Sequence, residues 1–153
     1  MAQFYFRLQP VLEMREREER NKKLVLSQLE QQRVAIEDRI RGYQRNIEHE
    51  QGSLAQMLDG SSTIDFRGAR LQANAALSNR FSAQRLVIEL AGLFEQIEHA
   101  RKELMTAAAA RKAVELLKDR QREEFESEQR RRETIELDDM TVMRHARQTD
   151  VLL

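Results

Sequence analysis

The chain has no cysteine and no tryptophan, a single proline, and aromatic residues at only 5% of its 153 positions. Without cysteine, disulfides and thiol catalysis are excluded, and a reducing compartment is allowed. So few aromatics beside 34% charged residues fit a long helix or coiled coil and not a packed globule. No run of 18 apolar residues occurs, so no helix is expected to span a membrane. The opening Met-Ala-Gln-Phe-Tyr-Phe-Arg-Leu lacks a charged region followed by a hydrophobic stretch, so it does not read as a secretory signal. Cytoplasm is the expected location.

Net charge is missing too. The 26 basic residues balance the 26 acidic ones, which removes the overall field that would draw in nucleic acid or an anionic membrane. Most of the basic residues are arginine, and arginine can bridge carboxylates with two hydrogen bonds beside a helix seam.

Chemistry-bearing patterns are equally sparse. No glycine-rich loop precedes a Lys-Ser/Thr pair, and no Ser/His/Asp grouping could be held in register on so thin a scaffold. His49, His99 and His145 are widely separated, and no Glu-x-x-His pair occurs, so they read as surface histidines and not as metal ligands. We therefore expect no catalytic, cofactor-binding or metal-binding residues, and no enzyme.

What is present is periodicity. Steps of four and three run through Leu8, Leu12, Arg15, Glu19, Lys22, Leu26, Leu29, Arg33, Ile36, Ile40, Tyr43, Ile47, Glu50, Leu54 and Met57, ten of them apolar. Two apolar positions per heptad make a coiled-coil seam. Pro10 is tolerated only in a first helical turn, so helix one is expected over about 9–58. Asp59-Gly60-Ser61-Ser62-Thr63 is the strongest break in the chain and marks a turn at 59–63, with Ser62 or Thr63 a cap for the second helix.

A second stripe runs through Phe66, Ala69, Ala73, Ala76, Arg80, Ala83, Val87, Leu90, Phe94, Ile97, Arg101, Leu104 and Ala108. After Ala107–Ala110 the phase shifts, and from Glu123 to Glu136 the chain is mostly charged. Helix two is therefore expected over about 64–140, with a frayed C-terminus. Two stripes and a short turn predict an all-α fold: a long antiparallel two-helix coiled-coil hairpin forming one unit over 1–153. Partner numbers should sum to roughly 122–124, and residues beyond about 120 should overhang helix one. The same stripes would also satisfy pairing between chains, but a monomeric hairpin is the expectation.

Leu71, Leu77, Phe81, Leu86 and Ile88 lie beside the second stripe and not on it. Either a short extra helix folds back over them, with Gly68 permitting a kink after the turn, or they form an exposed docking patch. Arg130-Arg131-Arg132 is hemmed in by glutamates and reads as a solvated helix face.

The start of the chain, Phe4-x-Phe6-x-Leu8-x-x-Val11-Leu12-x-x-Arg15-x-x-Glu18-Glu19, resembles the N-terminal signature of the FliJ family of flagellar type III export proteins. Arg111-Lys112-Ala113-x-Glu115-x-Leu117-x-x-Arg120-Gln121, with Arg132-Glu133 and Leu137-Asp138-Asp139, is similar to that family's C-terminal half. The stretch from Phe66 to Arg85 departs most from the family pattern.

The resemblance implies a bacterial protein of flagellum biogenesis and motility, cytoplasmic and peripheral at the inner-membrane face of the export apparatus. It implies an antiparallel coiled coil like the central stalk of a rotary ATPase. Such a protein would bind the hexameric export ATPase and promote its assembly and activity. It would also bind the cytoplasmic domain of the export-gate membrane protein and handle export chaperones. Ring contacts are expected at Phe4, Phe6, Leu8, Arg15, Arg120 and Arg131, and gate contacts at Leu77 and Phe81. The alternatives are an injectisome stalk protein and a generic scaffold coiled coil.

Overall fold

The computed structural model describes residues 3–59 and 65–150, with side chains described as far as Arg144. Two helices account for nearly all of it: α1, Gln9–Asp59, and α2, Phe66–Asp150. They pack against each other as an antiparallel hairpin. The expected turn at 59–63 lies outside the described residues except for Asp59, which closes α1.

Pro10 sits in the first turn of α1, where its missing N–H leaves no bond unmade. Phe6 accepts from the Gln9 backbone N–H at 3.1 Å and Leu8 accepts from that of Leu12 at 3.0 Å, which leads the chain into the helix around the proline. At the start of α2 the cap is Asp65. Its Oδ1 accepts the backbone N–H of Arg67 at 3.1 Å, satisfying one of the orphan donors of the first turn. Ser62 and Thr63, the expected caps, lie outside the described residues. A Cβ added at Gly68 would stand 2.7 Å from Oδ2 of Asp65, so this glycine leaves room for the capping carboxylate. α2 is unbroken from Phe66, and no extra helix comes after the turn among the described residues. At its other end it continues to Asp150, past the expected limit near 140.

The chain divides into two compact units, 20–105 and a second made of 1–19 with 106–153. In the first, Ile36 of α1 and Leu86, Leu93 and Ile97 of α2 form the core, with Leu26, Leu29, Ile40, Tyr43 and Leu90 packed against it. Polar bonds flank the core. Lys22 reaches Glu103 at 2.9 Å, Arg101 reaches Glu30 at 2.8 Å, and Asn79 reaches Glu50 at 2.8 Å.

The seam of α1 falls where its stripe places it, but the seam of α2 does not. Leu86, read as lying off the seam, is 4% exposed, while Val87, read as on it, is 52% exposed. Leu93 is likewise buried beside an exposed Phe94, and Ala100 beside an exposed Arg101. Each error is one residue. Two neighbouring positions could continue the spacing, and the larger buried set wins once α1 supplies the opposite wall.

The pairing register also differs. Lys22 with Glu103 sums to 125 and Glu30 with Arg101 to 131, above the expected 122–124. The last residue of α1 and the first of α2, Asp59 and Phe66, already sum to 125, above the expected centre.

In the unit of 1–19 and 106–153, Phe6 and Leu12 are buried and Phe4 lies against Phe125, ring centroids 5.7 Å apart and tilted by 50°. Lys118 donates to the Gln9 side-chain oxygen at 2.9 Å. Beyond Gln129, which is half-buried, every described side chain of α2 is exposed. Here the helix rests on contacts one turn apart, Arg122 with Glu126 at 2.9 Å and Arg132 with Glu128 at 3.4 Å.

Candidate interaction surfaces

In the unit of 1–19 and 106–153 the α1 seam carries charge where α2 is small. Glu19 is buried, and its carboxylate accepts Nε–H of Arg111 in a short charge-assisted bond. Arg111 also donates from Nη1 to Glu115 at 3.0 Å. The bond to Glu19 is the main reason the Arg111 guanidinium is held above its ordinary value. Glu115 is held below the usual carboxylate value first by Lys112 and then by Arg111.

The candidate ring-contact residues fall in this unit, in two situations. Phe6 is buried and Phe4 half-buried, so these two consolidate the packing of the N-terminal segment on α2. Leu8, Arg120 and Arg131 are exposed. Arg15 is half-exposed and donates to Glu18 at 2.8 Å. Arg120 borders a shallow groove with Ala113, Leu116, Leu117, Asp119 and Glu123, and Arg131 borders another with Glu123, Glu124, Ser127 and Glu128. Each arginine therefore stands in an acidic neighbourhood on a helix face that carries both signs of charge.

In the unit of 20–105 the outward face of α2 holds the candidate gate residues. Leu77 is 51% exposed, Phe81 66% and Ile88 74%, and Leu71 is equally open. No described element covers them, so of the two sequence readings the exposed patch is the one found. Leu86 alone leaves that set, because it belongs to the core. Val87 joins it, in a shallow groove with Ile40, Gln44, Arg80, Ala83, Gln84 and Ile88.

The same unit carries a charge ladder. Glu30 accepts from Arg33 at 2.7 Å and from Arg101, and those bonds, Arg33 first, hold its carboxyl below the ordinary value. Arg33 also bonds Glu37 at 2.8 Å. Glu103 is lowered chiefly by its bond from Lys22. Among the described residues no three His, Cys, Asp or Glu side chains come together as metal ligands. No helix among them is long and apolar enough to cross a membrane.

A helical hairpin whose open features are helix faces, one apolar and one of mixed charge, defines an interaction protein of the coiled-coil class. The family model described as "Flagellar FliJ protein" matches residues 4–150. The chain belongs to the FliJ family, coiled-coil proteins related to flagellar type III export. Neither the curated proteins nor the solved structures compared with it give a match.

Proposed function

We propose that this chain is the stalk-like component that engages the hexameric export ATPase, promotes its assembly and activity, and links it to the cytoplasmic domain of the export-gate membrane protein. Handling of export chaperones belongs to the same reading, and so does a position at the inner face of the membrane. The observation that supports it most is the C-terminal part of α2. From Arg130 to Asp150 the helix continues for about 30 Å at ~1.5 Å per residue. From Arg131 to Arg144 its side chains are all exposed. A single helix with both signs of charge on its surface suits a narrow annular partner better than a flat one.

On this reading Leu8, Arg15, Arg120 and Arg131 touch the ring, while Phe4 and Phe6 brace the segment that presents them. Leu77 and Phe81 touch the gate. The test is a purified matching export ATPase assayed with and without the chain. Stimulation is expected from the full chain and is expected to be lost on truncation after Gln129. An ATPase indifferent to the full chain would end the proposal. Leu77→Ala/Phe81→Ala should weaken capture of the gate domain with helix content unchanged; unaltered capture would remove that assignment. A generic scaffold would stimulate nothing.

A further inference from the structure

The outward face of α2 carries a second seam that the hairpin does not use. Arg70, Asn74, Leu77, Phe81, Gln84, Ile88, Ala91 and Glu95 succeed one another by alternate steps of four and three, and all eight are exposed. This is coiled-coil spacing on the side of α2 turned away from Leu86, Leu90, Leu93 and Ile97. We propose that the occupant of this seam is the same seam of a second copy, paired antiparallel about a two-fold axis between Ser82 and Ala83.

The order of residues argues for that occupant. About this axis Phe81 meets Gln84 of the second copy, Leu77 meets Ile88, Asn74 meets Ala91, and Arg70 meets Glu95. Apolar falls on apolar where Leu77 meets Ile88, on both sides of the central Phe81–Gln84 pairs, and opposite charges close both ends. A parallel pairing in register would set Arg70 on Arg70 and Glu95 on Glu95. Sliding the antiparallel pair by one heptad either way sets Leu77 against Glu95 or Arg70 against Ile88. Of these registers only the chosen one joins Leu77 to Ile88 and Arg70 to Glu95 at once, and a face shaped only for an unrelated protein has no need to match itself under a two-fold.

The flanks agree. Phe94, half-exposed in its own chain, comes beside Ala73 of the copy. Exposed Leu71 comes beside Gly92, where an added Cβ would meet nothing within 4 Å of its own chain, so there is room for the incoming side chain.

Few large apolar residues and a central glutamine place such an interface at the low end of the specific range, so the pairing is reversible and depends on concentration. It also covers Leu77 and Phe81. Self-pairing and gate binding would then exclude one another, and the dimer would be a resting form of the free protein. That consequence rests on the gate reading above, but the dimer does not.

Sedimentation velocity of the full chain over a range of concentrations tests the dimer without any partner. The wild type is expected to move from 18.0 kDa toward twice that mass as concentration rises. Arg70→Glu alone and Glu95→Arg alone each create like-charge contacts at both ends and should weaken dimerisation by roughly tenfold or more. Arg70→Glu/Glu95→Arg together should restore it, because the exchange preserves each pair. Ile88→Ser, away from the charges, should also dissociate the dimer. All these positions are exposed, and circular dichroism checks that helix content is kept. A monomer at every concentration would overturn the proposal. So would single variants that pair like the wild type, or a double variant no better than the singles.

Discussion

At the scale of the residue, the most informative pair is Glu19 with Arg111. A buried charge pair contributes little net stability, because desolvation offsets most of the attraction, but it penalises any register that separates its members. Substituting Arg111 by Ala removes a charge-assisted donor from a buried carboxylate and should lower the urea midpoint. Replacing both by leucine should return the midpoint to the wild-type value or above it. A double variant less stable than the single would show that the pair stabilises outright and does not merely select a register.

The exposed pairs behave differently. Glu30, Glu103 and Glu115 all have folded values below the ordinary 4.5. Each therefore contributes stability that is complete above that value and lost as pH falls through the lowered one. Melting temperature is expected to be flat above about pH 5 and to fall below it, less steeply in high salt because the pairs face water. Glu30→Gln should shrink the acid-side drop. A melting temperature unchanged down to about pH 3 would contradict the assignment.

At the scale of the element, the one-residue question on α2 has a direct stability test. Leu86 is buried against Ile36 and Leu93, so Leu86→Ala should cost about 2–4 kcal/mol. Val87→Ala, on the exposed side, should cost under about 1 kcal/mol. The reverse order would restore the seam read from spacing alone.

That difference shows how far the fold was legible in the sequence. The stripe of α1 could be read because its large aliphatics stand one per step, mostly with polar neighbours. On α2, Leu86-Val87 and Leu93-Phe94 place two apolar residues side by side, and periodicity cannot choose between them. Only the opposite helix can, through Leu29, Ile36 and Ile40. The cap at Asp65 was hidden for a related reason, since three hydroxyl residues stand just before it and each can cap. The candidate apolar patch was legible as residues left over from the seam. The Glu19–Arg111 bond was not, because pairing across 92 residues depends on a register that the turn sets.

At the scale of the whole molecule, the two units differ in what holds them. In 20–105 four buried aliphatics are joined by five more residues packed against them. In the unit of 1–19 and 106–153 the buried side chains of α1 are Leu12 and the carboxylate of Glu19, and Glu19 is joined across to α2 by the ionic bond from Arg111. Apolar burial is the larger favourable term, so local opening should be cheaper in the second unit. Hydrogen exchange measured by mass spectrometry is expected to rank three regions. Amides of 29–43 and 86–100 should exchange slowest and those of 10–19 and 107–118 faster. Those of 130–144, where no described side chain is buried, should be the fastest of α2. Equal protection in the first two regions would mean that the charged seam is as tight as the aliphatic one. The predicted order has a functional sense within the proposed stalk. The candidate ring contacts lie on the unit that opens more easily, where a partner can be engaged and released. The candidate gate contacts lie on the unit whose core keeps its surface in one shape. Adding the matching ATPase should then slow exchange in 10–19 and 107–144 and leave 29–43 unchanged. Protection appearing in 29–43 instead would move the ring contact to the other unit.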